Sequence, residues 1–288
     1  MRRTLTNHVL TRTTIAAAGA ALGLSALAAP PAAAEPDGPS SAELAAVSEA
    51  VDATRVDGIA WHTDEQSGTV VVRTDSTVTD AERKQLRGTA GGDPSAVTIV
   101  PTDGRFRPLL GSGDPIYGPD YRCSVGFNVR KGDEHFLLTA GHCGENVDTW
   151  YADESGSVLV GDTVGASYPG NDFAVVRYDT DDLRRPGGYH AGKARVGQEV
   201  ARHGSTSDTE IGEVTALGVT VKYEGGVAMH GMIEADVCSR AGDSGGALYS
   251  GSTALGIVSG GSGSCAPGAV SFHQPVGEAL RAFDVELY

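Results

Sequence analysis

From about residue 111 onward the apolar residues come in short runs: CSVGFNVR, HFLLTAGH, SVLVGDTVG, DFAVVRY, EVTALGVTVKY, GALYS, TALGIVSGG and VSFHQPV. The runs are broken by Gly, Ser, Asn and Asp, and each reads as a strand of about five to eight residues. Many short strands at regular spacing predict an all-β barrel or sandwich. Only the tail, PVGEALRAF, breaks the pattern: Val276, Ala279, Leu280 and Phe283 fall at helical spacing and predict a terminal helix packed on the barrel. Roughly 180 residues are enough for a sizeable core.

The chain before this region has a different texture. SAELAAVSEAV has helical spacing, GIAWHTDEQSGTVVVRTD reads as two strands around a Ser-Gly turn, TDAERKQLRGTA as a helix with an acidic first turn, and AVTIVP as a strand. Residues 35–109 are therefore expected to form a small α+β unit. It ends in PTDGRFRPLLGSGDP, a Gly- and Pro-rich stretch expected to be an exposed linker open to proteolysis. At the other end, Arg2, Arg3 and Arg12 precede an alanine-rich apolar run, and Ala32 and Ala34 form a small-x-small cleavage site. This is the pattern of a secretory signal peptide over residues 1–34. The run is too short and too rich in alanine for a membrane span, and no second apolar segment of membrane length follows, so a secreted protein with no membrane anchor is expected.

Four cysteines in an oxidising compartment read as two disulfides, with three possible connectivities. Neither C-x-x-C nor H-E-x-x-H occurs, so the cysteines do not read as a zinc site. The formal net charge of −15 makes nucleic acid a poor partner, because phosphate binding leans on Lys and Arg.

RAGDSGGALY, residues 240–249, holds Ser244 in a G-x-S-x-G pattern. A serine so placed fits the nucleophile elbow of a lipase or esterase, a protease nucleophile, or an ordinary turn. A hydroxyl nucleophile needs a histidine base, itself oriented by an acid. His142 stands out: LTAGHC puts it at the end of an apolar strand, in a tight turn beside Cys143. Asp172 heads the apolar strand of YPGNDFAVVRY, a half-buried position where a carboxylate needs a polar partner. Histidine and acid thus precede the serine, whereas the lipase order requires them after it.

LTAGHC, NDFAVVRY and GDSGG, in that order, resemble the three catalytic segments of the chymotrypsin family. RCSVGFNV, RHGSTS, EVTALGVTVKY, VCSRAGDSGGALYSG and SGGSGSC resemble its streptogrisin branch of secreted actinomycete proteases. The resemblance covers residues 110–288, and residues 35–109 resemble that branch's propeptide, a folding aid and inhibitor. It implies two antiparallel six-stranded β-barrels with the active site between them. It implies Ser244 as nucleophile, His142 as base, Asp172 as the acid that orients it, and the N–H groups of Gly242 and Ser244 as oxyanion hole. It further implies the disulfides Cys123–Cys143 and Cys238–Cys265, and a structural ion pair of Asp243 with Arg202.

Ser259, Gly260 and Gly261 match the segment that pairs with substrate, and Asp236 and Ser271 are expected near the S1 pocket. Large apolar P1 residues are the favoured substrate, because alignment of GSGDPIY with streptogrisin starts points to cleavage between Leu109 and Leu110. Arg or Lys specificity through Asp236 is the alternative, although Ser239, Arg240 and Ala241 lengthen that loop by two residues relative to trypsin. For glutamate only His273 offers an imidazole; Val258 and Leu248 stand where other members of the branch have further histidines. A catalytically inactive secreted homologue acting as a binding protein is the remaining alternative. Implied partners are protein or peptide substrates, the chain's own propeptide and proteinaceous protease inhibitors. The enzyme is expected to be a monomer with no metal and no organic cofactor, since the triad needs none.

Overall fold

The computed structural model describes residues 38–288; the expected signal peptide and Ala32–Ala34 cleavage site lie outside the described residues. The chain divides into two compact units, the first ending at Gly104 and the second running from Arg105 to Tyr288.

The first unit has helix α1 (Ser41–Asp52), strands β1 (Ile59–Asp64) and β2 (Thr69–Thr74), helix α2 (Asp80–Gly88) and strand β3 (Val97–Pro101). Both helices begin with a capping box, Ser40 with Glu43 and Thr79 with Glu82, in which each side chain satisfies a main-chain N–H of the other. The sheet order is β1-β2-β3, the first pair antiparallel and the second parallel. Leu44, Val47 and Val51 of α1 and Leu86 of α2 pack with Val70 and Val72 into one core.

The second unit opens with β4 (Pro115–Gly118), β5 (Tyr121–Ser124), β6 (Phe127–Lys131), β7 (Glu134–Thr139), the one-turn helix α3 (Gly141–Gly144), β8 (Thr149–Tyr151), β9 (Leu159–Ser167) and β10 (Phe173–Arg177). Strand β5 pairs with β4 and β6 pairs with β7. The two are a single strand bent at Val125–Gly126, so the sheet order β6-β7-β10-β9-β8-β4-β5 describes a six-stranded barrel. Gly126 is required at the bend, where a Cβ would lie 2.8 Å from the carbonyl oxygen of Gly245 and 3.0 Å from that of Leu138. Ile116, Val125, Leu137, Trp150, Val160 and Val176 fill its interior.

After the edge strand β11 (His190–Ala191) come β12 (Glu199–Gly204), β13 (Asp208–Lys222), β14 (Ala228–Ala235), β15 (Ala247–Ser250), β16 (Thr253–Gly261) and β17 (Ser271–Pro275). Strand β17 pairs with both β14 and β16, which closes a second six-stranded barrel around Val200, Val214, Ile233, Leu248 and Leu255. The chain ends in helix α4 (Val276–Phe283) and β18 (Glu286–Leu287), which returns to pair with β6 of the first barrel. Phe127, Leu138 and Phe173 of the first barrel, Ala247 and Ile257 of the second, and Val276 and Ala279 of α4 form a third cluster that joins them.

The expected exposed linker is only partly so. Pro108 O accepts from Arg184 N and Leu110 N donates to Arg184 O, both at 2.9 Å. The Leu110 side chain is 2% exposed, while Leu109 is 63% exposed. An apolar side chain in reach of the first barrel's core is buried there despite its Gly- and Pro-rich setting.

Candidate active site

His142, Asp172 and Ser244 reach the junction of the barrels by separate routes. His142 sits in α3, directly after β7, and Asp172 immediately precedes β10, which pairs with β7. Close approach of main chains makes this possible: a Cβ on Gly141 would lie 2.4 Å from Ser167 O and 2.7 Å from Phe173 N. The Cys123–Cys143 disulfide, with Cα atoms 6.6 Å apart, ties α3 to β5.

The Asp172 carboxylate is 1% exposed and fully engaged. His142 Nδ1 lies 3.1 and 3.0 Å from Oδ1 and Oδ2, His142 N donates to Oδ1 at 2.8 Å, and Ser259 Oγ donates to Oδ2 at 2.6 Å. A buried carboxylate in this setting fixes the ring and places the imidazole proton on Nδ1, leaving Nε2 as the basic nitrogen. Tyr223 Oη lies 3.0 Å from Ser259 Oγ, and burial pushes its phenol up to about 12, so it stays a neutral partner. Among the described residues no hydrogen bond joins Ser244 Oγ to the His142 ring; such bonds often tighten only when substrate is bound.

Ser244 occupies the turn before β15. Gly242 has φ 98°, and a Cβ there would lie 2.4 Å from Thr206 Oγ1, so only glycine fits. The Gly242 carbonyl accepts from Ser124 Oγ at 2.8 Å and Ser205 Oγ at 3.0 Å, while Ser124 N donates to Ser244 O at 2.8 Å. Among the described residues neither Gly242 N nor Ser244 N donates to a protein acceptor, which leaves two main-chain N–H groups of this turn available as donors.

Beneath the turn, Arg202 Nη1 stands 3.6 Å from Asp243 Oδ2 with both side chains wholly buried. Burial pushes the Asp243 carboxyl up, but hydrogen bonds from the Ser207 hydroxyl and from Arg240 N, Ser207 N and Thr206 N outweigh it and hold the carboxyl below its ordinary value. Burial lowers the Arg202 guanidinium, opposed by the Asp243 charge.

A cleft of about 160 Å³ opens beside Ser244, lined by Ala241, Val258, Gly260, Gly261 and Ser239, with exposed Arg240 at its rim. The wall is tight: a Cβ on Gly261 would lie 2.4 Å from Ser239 Oγ, and one on Gly260 2.9 Å from Tyr223 Oη. A larger hollow of about 460 Å³, near α4 and Lys193, does not include Ser244. Cys238 and Cys265, joined with Cα atoms 4.8 Å apart, line a separate hollow together with Asp236 and Glu210.

Asp236 is not in the cleft. It is exposed, on the outer side of the second barrel, where its Oδ1 accepts from Glu213 N. Cys238 and Ser239 are turned inward two and three residues later, so the longer loop delivers Ser239 to the cleft wall instead. Ser271 is fully buried behind Gly261, its hydroxyl 3.3 Å from His273 Nε2. His273 is wholly buried too, and burial lowers its imidazole to about 3, so it is neutral at physiological pH. Ser124, Tyr223 and Gln274 are site residues that sequence reasoning missed: they lie inside the quoted segments RCSVGFNV, EVTALGVTVKY and VSFHQPV, but nothing local marks their side chains as partners of the site.

A family profile described as Trypsin matches residues 111–282, and one described as Alpha-lytic protease prodomain matches residues 40–94. Streptogrisin-D of Streptomyces griseus is 44% identical over 243 residues, covering 81% of this chain and 62% of that protein. The chain thus spans about three fifths of that relative's length. Streptogrisin-A of the same organism is 40% identical over 251 residues, 84% of this chain and 82% of that protein. The solved structure of a glutamic-acid-specific serine protease with a histidine triad in substrate binding is 43% identical, with a TM-score of 0.58 over 62% of this chain and all of that one.

Proposed function

The chain belongs to the trypsin family of serine proteases, with a prodomain of the alpha-lytic protease kind, and from that premise we propose that it is a secreted serine endopeptidase made as a preproprotein. Residues 1–34 are the signal peptide, 35–109 the propeptide and 110–288 the protease. Ser244 Oγ attacks the scissile carbonyl to give an acyl-enzyme. His142 takes the serine proton at Nε2 and passes it to the leaving amine, while Asp172 holds the ring tautomer and stabilises the imidazolium. Gly242 N and Ser244 N receive the oxyanion; loss of one such donor costs about 2.7–4 kcal/mol in a serine protease of unrelated fold. The observation that carries this reading is the buried Asp172 carboxylate with both oxygens on His142 Nδ1 at the junction that also holds Ser244.

For specificity we favour large apolar P1 residues (Phe, Tyr, Leu). The cleft lining is neutral and small apart from Arg240 at the rim. Ser259, Gly260 and Gly261, at the end of β16, serve as the strand that receives the substrate main chain, a mode in which backbone bonds give affinity and the side pocket selects. Leu109, exposed ahead of an anchored Leu110, supports release of the propeptide after leucine. Asp236, outside the cleft, gives no basis for Arg or Lys selection. Arg240 is the one observation that favours an acidic P1 residue, without help from neutral His273, or from Val258 and Leu248, which carry no imidazole.

Cleavage of matched peptide anilides with Phe, Leu, Arg or Glu at P1 tests this, with Ser244→Ala as control. Fast cleavage after Phe and Leu, abolished in the variant, is the expected result. Preference for Glu would assign selection to Arg240, and absence of all cleavage by processed protein would leave an inactive binding protein.

A further inference from the structure

Gln274, in β17, is fully buried, and its carboxamide bridges two groups of fixed polarity. Its Oε1 accepts from Asp172 N at 2.9 Å, and its Nε2 donates to Glu278 Oε2 in the first turn of α4. A main-chain N–H can only donate and an ionised carboxylate can only accept, so one orientation of the amide satisfies both. Glutamate at 274 would set a carboxylate against Glu278, and methionine would leave the Asp172 N–H without its acceptor.

The bridge matters because of what hangs from that N–H. Asp172 reaches His142 and Ser259 through its carboxylate, but the carboxylate's direction follows from where its main chain sits at the head of β10. Gln274 fixes that point from the other barrel, 102 residues away in sequence, and Glu278 fixes Gln274 from the helix that packs between the barrels. Resting on the triad reading above, we propose that Gln274, clamped by Glu278, is a positioning residue for the triad acid, holding the Asp172 main chain so that its carboxylate meets His142 Nδ1.

The test is an exchange of polarity. Gln274→Met removes both bonds. Gln274→Glu keeps the acceptor for Asp172 N but opposes Glu278, and adding Glu278→Gln restores a donor to face it. All variants are secreted as the full chain and, where self-processing is slow, processed in trans by tagged wild-type enzyme that is then removed. With a Leu anilide, Gln274→Met and Gln274→Glu should lose about ten- to a hundred-fold in kcat with KM within about twofold, as expected for a displaced catalytic group. The Gln274→Glu/Glu278→Gln pair should recover to within about threefold of wild type. The downfield proton of the His142 Nδ1 hydrogen bond should shift in the single variants and return in the pair.

Wild-type kcat in both single variants would overturn the proposal. So would a pair no better than Gln274→Glu, or a fall in kcat with the downfield proton unmoved. If Gln274→Met does not accumulate, Glu278→Leu, at a partly exposed site, replaces it: a several-fold fall in kcat with the proton shifted supports the proposal, and an unchanged kcat sinks it. Asp172→Asn in the same panel separates the two readings, since a working triad should lose about 10⁴-fold. If Asp172→Asn keeps the wild-type rate, the triad reading fails; if it collapses while the Gln274 variants stay active, only the positioning role fails.

Discussion

Replacing Arg202 by Met tests whether the buried ion pair beneath the nucleophile turn holds that turn in shape. Arg202 and Asp243 lie 3.6 Å apart with both side chains wholly buried. At that distance two unit charges attract by about 4.6 kcal/mol for an effective dielectric constant of about 20. Truncating one partner of such a pair costs about 3–5 kcal/mol, because the other charge stays buried. Here Asp243 retains hydrogen bonds from Thr206 N, Ser207 N, Ser207 Oγ and Arg240 N, which spread the stranded charge. The loss is therefore set at the low end, about 3 kcal/mol. Adding Asp243→Asn removes that charge but turns an amide NH₂ toward donors, so the double variant should recover only about 1 kcal/mol. Guanidinium unfolding of the protease domain, in a Ser244→Ala background to prevent autolysis, measures both. An Arg202→Met protein within about 1 kcal/mol of its parent, or a double variant no more stable than the single, refutes the reasoning.

Three further outcomes follow from the same geometry. Gly242→Ala, at φ 98° and with a Cβ 2.4 Å from Thr206 Oγ1, should displace an oxyanion donor and lower kcat by about 10²–10³-fold, against a much smaller change in KM, in steady-state anilide kinetics. Asp236→Asn should leave the ratio of Leu to Arg cleavage unchanged within about twofold, since the carboxylate faces away from the cleft; selective loss of Arg cleavage would return it to the pocket. His273, neutral in the folded protein down to about pH 3, takes up a proton on unfolding below about 6.5. Its folded value is depressed, so the stability linked to it is present above about 6.5 and declines as pH falls toward 3. In urea unfolding, His273→Leu should therefore show a shallower loss of stability over that range than wild type.

What the sequence disclosed, and what it hid, follows from the range of the interactions. The strands of both barrels were legible because apolar runs and turn residues are local signals, and the helix α4 because Val276, Ala279, Leu280 and Phe283 repeat at its own period. LTAGHC, NDFAVVRY and GDSGG drew attention to His142, Asp172 and Ser244 for the same reason: each motif carries its own local context. The two-residue lengthening of the loop after Cys238 was visible too, but not its consequence, that Asp236 turns outward to Glu213 N while Ser239 takes the wall of the cleft.

What the sequence could not name is the partner at the far end of each long-range contact. Ser124 reaches Gly242 across 118 residues, Tyr223 reaches Ser259 across 36 and Gln274 reaches Asp172 across 102, each from a segment whose local sequence names no partner. These are the groups that hold the Gly242 carbonyl back, buttress the Asp172 carboxylate and anchor its main chain. The motifs therefore mark His142, Asp172 and Ser244, whereas the polar groups that hold their segments come from β5, from the residue after β13, and from β16 and β17, which close the second barrel. Substitutions at Gln274 or Ser124 should accordingly act on kcat with His142, Asp172 and Ser244 intact, a class of defect that inspection of LTAGHC, NDFAVVRY and GDSGG would pass as harmless.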